Sequence, residues 1–100
     1  MAYYYREHPA EDHRAVAVDG AQLVDVREPA EVAQGTLPGA VNIPLGELPW
    51  RMRELDVERR VVVLCQSGGR SGRAAELLVA SGFDDVVNLS GGMLALGVRR

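Results

Sequence analysis

Apolar residues recur along this chain in short blocks separated by turn signals. Gln22 to Val26 (QLVDV) is a brief apolar run of the kind a buried parallel strand requires. Val61 to Leu64 (VVVL) is continuous, β-branched and flanked by charge, which predicts a strand covered on both faces. Val86 to Leu89 predicts another strand, and Leu37 to Pro44 holds a Pro38-Gly39 turn followed by a very short strand that Pro44 ends. Between these runs the period changes. Ser71 to Ser81 places Ala74, Ala75, Leu77, Leu78 and Val79 on one helical face, with Gly82 as a C-terminal cap. Pro29 fits the first turn of a helix that Gly35 closes.

The remaining segments carry weaker patterns. Pro9 to Val18 predicts a first helix, with Glu11 and Asp12 at the end that favours acids, before an Asp19-Gly20 turn. Leu45 to Leu55 predicts one or two brief helices broken at Pro49, with Trp50 as a packing residue. Ser90-Gly91-Gly92 leads into a final short helix through Met93 and Leu94. Met1 to Glu7 reads as an irregular or extended arm whose Tyr3, Tyr4 and Tyr5 pack on their own domain. Strands and helices thus alternate, which predicts an α/β domain: a parallel sheet with helices on both faces, and ligand sites beyond the C-terminal strand ends.

Composition narrows the functions available. The 100 residues, 47% hydrophobic, suffice for one core, so a single domain over residues 1–100 is expected. A net charge of −3 and a pI near 5.3 argue against broad binding to nucleic acid or an anionic membrane. No apolar run approaches the ~20 residues of a membrane span, and Met1 to Glu7 lacks the regions of a signal peptide. The single cysteine offers no internal disulfide and no zinc ligand set; a reducing, cytoplasmic setting is expected.

That cysteine, Cys65, ends the strongest strand and is followed by Gln66-Ser67-Gly68-Gly69-Arg70-Ser71. Adjacent glycines let successive backbone N–H groups turn inward as an anion-binding nest. A helix starting near Ser71 adds its unpaired N–H groups and the positive end of its dipole, and Arg70 and Arg73 add charge. Such surroundings lower a thiol pKa from ~8.5 into the range of an activated nucleophile. A core cysteine that merely ends a strand needs none of them. With four residues between Cys65 and Arg70, the loop is one residue shorter than that of cysteine phosphatases, and no general acid for a phosphate leaving group is evident. A narrow cradle suits sulfur better than a phosphoryl group.

Four segments in order, LVDVREPAE (23–31), GTLPGAVNIPL (35–45), VVVLCQSGGRS (61–71) and LSGGM (89–93), resemble the rhodanese, or sulfurtransferase, family over residues 23–92. The resemblance implies a three-layer rhodanese-like domain around about five parallel strands. It also implies ping-pong transfer of a sulfane sulfur from thiosulfate or a similar donor to cyanide or a thiol, through a persulfide on Cys65, without metal or organic cofactor. Carried over by position, Cys65 is the nucleophile, the backbone of Gln66, Ser67, Gly68, Gly69, Arg70 and Ser71 is the cradle, and Arg70 is the side chain placed to meet a dianionic donor. Ser71 is expected to cap the helix and face the thiolate, and the cap alone would explain a serine there. Asp25 and Arg27, past another strand end, are expected to form an ion pair that fixes that strand to the loops. Arg73 reads as a solvated charge, and His8 and His13 as surface residues.

The chain departs from the family pattern where Thr36-Leu37 replaces His-Ile and Leu96 replaces a frequent tryptophan, which bears on the pocket mouth. The partners implied are a small anionic sulfur donor and a thiophilic acceptor, with a sulfur-relay protein as a further partner. Two other readings stand beside this one: a persulfide carrier or interaction module loaded by a partner protein, and a small cysteine phosphatase or arsenate reductase, which the short loop disfavours.

Overall fold

A computed structural model describes residues 4–97. Five strands, β1 (Arg6–Pro9), β2 (Gln22–Asp25), β3 (Val41–Asn42), β4 (Val61–Leu64) and β5 (Val86–Ser90), form one sheet in the order β1-β5-β4-β2-β3, and every pairing is parallel. Five helices connect or flank them: α1 (His13–Val16), α2 (Pro29–Val32), α3 (Leu48–Arg51), α4 (Gly69–Ala80) and α5 (Gly92–Ala95).

Central position explains the composition of β4. It lies between β5 and β2, so alternate side chains enter two separate cores. Val61, Val63 and Cys65 join Val24, Val26, Ile43, Leu48, Ala74, Ala75 and Leu78 on the face covered by α4. Val62 and Leu64 join Leu23, Val87, Leu89, Ala10, Val16 and Met93 on the other. The domain is therefore the three-layer α/β arrangement expected, with β4 as its most enclosed element.

The N-terminal part differs from expectation. Of the irregular or extended arm expected, the extended form holds at Arg6 and Glu7, which begin an edge strand, Arg6–Pro9, in register with Val87 to Ser90; the helix expected from Pro9 does not start there. Its exposed, charged residues hide the strand pattern, and an edge position tolerates a proline that has no N–H to donate. Helical structure begins only at Ala10, as a 3₁₀ turn over Ala10–Asp12, and ends with α1 at Val16. Tyr4 is exposed and Tyr5 is half-buried against the α4-side core; Tyr3 lies outside the described residues. His8 and His13 are half-buried rather than at the surface, and His8 Nε2 is buried with no hydrogen-bond partner among the described residues.

Two further expectations change. Pro49 does not break the helix over 45–55; it occupies the first turn of α3, where its missing N–H costs nothing, between 3₁₀ turns at Leu45–Glu47 and Met52–Glu54. Trp50 is 59% exposed rather than packed, because the single turn of α3 buries only Leu48. Helix α4 starts two residues earlier than Ser71, with Gly68 in the left-handed region at its N-cap, and closes with Gly82 at φ +101° as its pattern predicts.

Candidate active site

Cys65 sits at the C-terminal end of β4 with 1% of its surface exposed. The backbone N–H of Gly68 donates to its Sγ at 3.0 Å, and the Ser71 hydroxyl donates to it at 3.3 Å. Burial, the largest single influence, pushes the thiol up. Opposing it are hydrogen bonds from the Ser71 hydroxyl and from the N–H groups of Ser71, Gly68 and Ser67, which together hold Cys65 below its ordinary value. The Gly68 N–H and the Ser71 hydroxyl thus converge on the sulfur. Ser71, however, is not the helix cap: it lies inside the first turn of α4, where its Oγ faces both the sulfur and the Gly68 carbonyl at 3.2 Å.

The loop holds this shape because its carbonyls are occupied elsewhere. Met93 N–H donates to the carbonyl of Cys65 at 2.9 Å and Leu94 N–H to that of Gln66 at 2.8 Å, so the start of α5 draws these oxygens outward. Close approach requires a residue without Cβ at position 92. A Cβ there would overlap the Cys65 carbonyl oxygen and lie 2.7 Å from that of Gln66, and Gly92 also adopts φ +55°. Gly68 has φ +108° and backs onto Gly91, whose nitrogen would lie 3.3 Å from any added Cβ. Asn88, the one polar residue in the buried part of β5, donates through Nδ2 to the Gly68 carbonyl at 3.3 Å and to both Glu7 carboxylate oxygens at 3.1 Å.

Asp25 and Arg27 are fully buried and form the expected ion pair. Arg27 Nε and Nη2 donate to the carboxylate, with the shortest contact 2.8 Å, and its backbone N–H donates to Oδ1 at 3.0 Å. Thr36, where the family pattern has histidine, donates its hydroxyl to Oδ2 at 2.7 Å. The guanidinium also reaches the Gly35 carbonyl at 2.7 Å and Gln66 Oε1 at 3.3 Å, so the pair ties β2 to the Cys65 loop.

Arg70 is the residue whose surroundings depart most from expectation. Its guanidinium pairs bidentately with Glu31 of α2 at 2.6 and 2.8 Å. Glu31 is held in turn by the Glu28 N–H at 3.0 Å, in a capping box at the start of α2. The Arg70 hydrogen bonds lower the Glu31 carboxyl to about 2 against the resistance of burial. Arg73 is exposed, as expected. Glu31, Asn88, Gly92 and Met93 were not singled out from the sequence as site residues. Asn88 had a signal, a polar side chain inside an apolar strand, and Glu31 had the capping-box spacing to Glu28, but neither pattern points to the cysteine.

Among the described residues no helix is long and apolar enough to cross a membrane, and no cluster of His, Cys, Asp and Glu could hold a metal ion.

The family model for the rhodanese-like domain matches residues 9–97. A sulfurtransferase of Allochromatium vinosum is 43% identical over 82 residues, which covers 82% of this chain and 77% of that protein. A thiosulfate sulfurtransferase of Pseudomonas syringae is 35% identical over 88 residues, covering 88% of this chain and 83% of the relative. Among solved structures, a rhodanese-like domain protein of Staphylococcus aureus superposes with a TM-score of 0.80 at 30% identity, covering 90% of this chain and 89% of the other. With the parallel sheet and the cysteine loop at the end of its central strand, these matches show that the chain belongs to the rhodanese-like domain family.

Proposed function

We propose that this domain is a sulfurtransferase, with Cys65 as its nucleophile and the N–H groups of the Gln66 to Ser71 loop as its anion cradle. The carrying observation is the convergence of Gly68 N–H and Ser71 Oγ on the Cys65 sulfur. In the first half-reaction the thiolate attacks the outer sulfur of thiosulfate or a similar donor. A Cys65–sulfur bond forms, the donor's sulfur–sulfur bond breaks, and its electron pair leaves on sulfite. In the second, cyanide or a thiolate bonds to the terminal sulfur, and the electron pair of the persulfide bond returns to Cys65 as thiolate. Electrons and charge balance at each step without a metal, an oxidant or an organic cofactor.

The same donors serve both halves, since negative charge sits first on Sγ and then on the sulfur beyond it. Because Cys65 is the only cysteine, no internal thiol competes to resolve the persulfide, and the acceptor comes from outside. The scant exposure of Cys65 supports a slender sulfur rather than a tetrahedral phosphoryl group as the transferred unit.

Sulfite release from thiosulfate, measured with cyanide and a panel of thiols as acceptors in wild type and Cys65→Ser, tests this reading. Turnover that depends on Cys65 supports it, and turnover that survives the substitution refutes it. A persulfide acquired only from a partner protein, never from thiosulfate, would assign the domain to sulfur carriage instead. Cys65-dependent hydrolysis of an aryl phosphate would revive the phosphatase reading.

A further inference from the structure

Both arginines that border the Cys65 loop are already engaged by carboxylates. Arg27 is fully buried against Asp25 and cannot turn toward an incoming anion. Arg70 presents both guanidinium nitrogens of its outer edge to Glu31, at 2.6 and 2.8 Å. Glu31 is fixed by the Glu28 N–H, so it holds that edge from a set position rather than as a wandering surface acid. Arg70 nevertheless stands in the first turn of α4, next to Ser71, whose hydroxyl donates to the Cys65 sulfur. The cradle therefore draws on backbone N–H groups and a hydroxyl, while Arg70, the cation of the loop itself, is covered by an internal carboxylate. The pair is only partly buried, with 37% of the Arg70 side chain and 23% of Glu31 exposed, so an external anion can compete for it.

Resting on the sulfur-transfer reading above, we propose that Glu31 sets the donor preference of the site. By occupying the bidentate edge of Arg70, it disfavours dianionic donors such as thiosulfate relative to donors that carry sulfane sulfur on a thiol. Two oxygens of a thiosulfate sulfonate group can accept the two parallel N–H bonds of that edge, which the Glu31 carboxylate occupies instead. A small alkyl persulfide has no oxyanion to place there and loses nothing to the pair.

The test compares thiosulfate with 2-hydroxyethyl persulfide in wild type, Glu31→Gln, Arg70→Gln and the double variant, with thermal melts confirming that each is folded. In Glu31→Gln, kcat/KM for thiosulfate relative to the persulfide should rise roughly three- to tenfold, the range expected for a partly exposed, charge-assisted pair. In the Arg70→Gln background the same substitution should leave the ratio unchanged. No rise in Glu31→Gln would overturn the proposal. So would an equal rise without Arg70, because the effect would then be removal of a nearby negative charge. Failure of the wild type to transfer sulfur from either donor would refute the sulfur-transfer reading instead. The proposal would then be decided on the only thiol of the chain, Cys65, by the rate ratio of iodoacetate to iodoacetamide alkylation in the same four proteins. An Arg70-dependent rise in Glu31→Gln sustains it, and an unchanged ratio rejects it.

Discussion

The backbone N–H of Met93 donates to the carbonyl oxygen of Cys65 at 2.9 Å, and Gly92 makes that approach possible. The bond joins the start of α5 to the end of β4, and it faces the carbonyl away from the sulfur so that the following N–H groups can face toward it. Gly92→Ala should push the two segments apart. The expected result is a stability loss of about 2 kcal/mol or more, from steric overlap added to left-handed strain, with a rise in the Cys65 pKa. Urea unfolding and the pH dependence of iodoacetamide alkylation measure the two effects.

Ser71→Ala removes the hydroxyl that donates to Sγ at 3.3 Å but leaves the N–H donors of the loop in place. Losing one of several hydrogen bonds to the thiolate, each worth about 1 kcal/mol, should raise the Cys65 pKa by roughly half a unit to one unit. The alkylation profile should shift to higher pH, while stability falls by no more than about 1 kcal/mol.

Asp25→Asn leaves the Arg27 guanidinium fully buried without its counter-charge. Breaking a buried pair from one side typically costs about 3–5 kcal/mol, far more than a surface pair. Urea titration should show a loss of that order. Sulfur transfer measured well below the new midpoint should also weaken, because Arg27 would hold Gln66 less firmly.

Glu31 has a lowered pKa in the folded chain, about 2 against an ordinary 4.5. A depressed carboxyl contributes stability that is present above its unfolded value and is lost as pH falls through its folded value. Wild type should therefore lose stability between about pH 4.5 and 2 more steeply than Glu31→Gln. Solvent screening of this partly exposed pair limits the difference to about 1 kcal/mol. Thermal melts of the two proteins across that interval should converge at the acid end.

How much could be read in advance depends on separation along the chain. The Cys65 strand, its glycines and the α4 pattern fall within one continuous stretch, so the strand–loop–helix arrangement around Cys65 was legible from spacing and turn chemistry alone. The Asp25–Arg27 pair spans two residues and was legible for the same reason. The Arg70–Glu31 bridge joins residues 39 apart, and Asn88 meets Glu7 across 81. Those contacts exist only because the sheet order sets β1 beside β5 and β2 beside β4. A charge pattern does not encode which distant partner it will meet. That the extended N-terminal arm pairs in the sheet and runs to Pro9 was not legible, because an edge strand carries charge and even proline where a central strand would carry valine. The α/β class was secure without it, since the alternation of apolar strands and helices persists through the rest of the chain.

The central claim is that Cys65 accepts a sulfane sulfur. Intact-protein mass spectrometry after incubation with excess thiosulfate tests it most directly. The account predicts a gain equal to one sulfur atom that a reducing thiol removes and that is absent in Cys65→Ser. No gain in the wild type, or the same gain in Cys65→Ser, would contradict it.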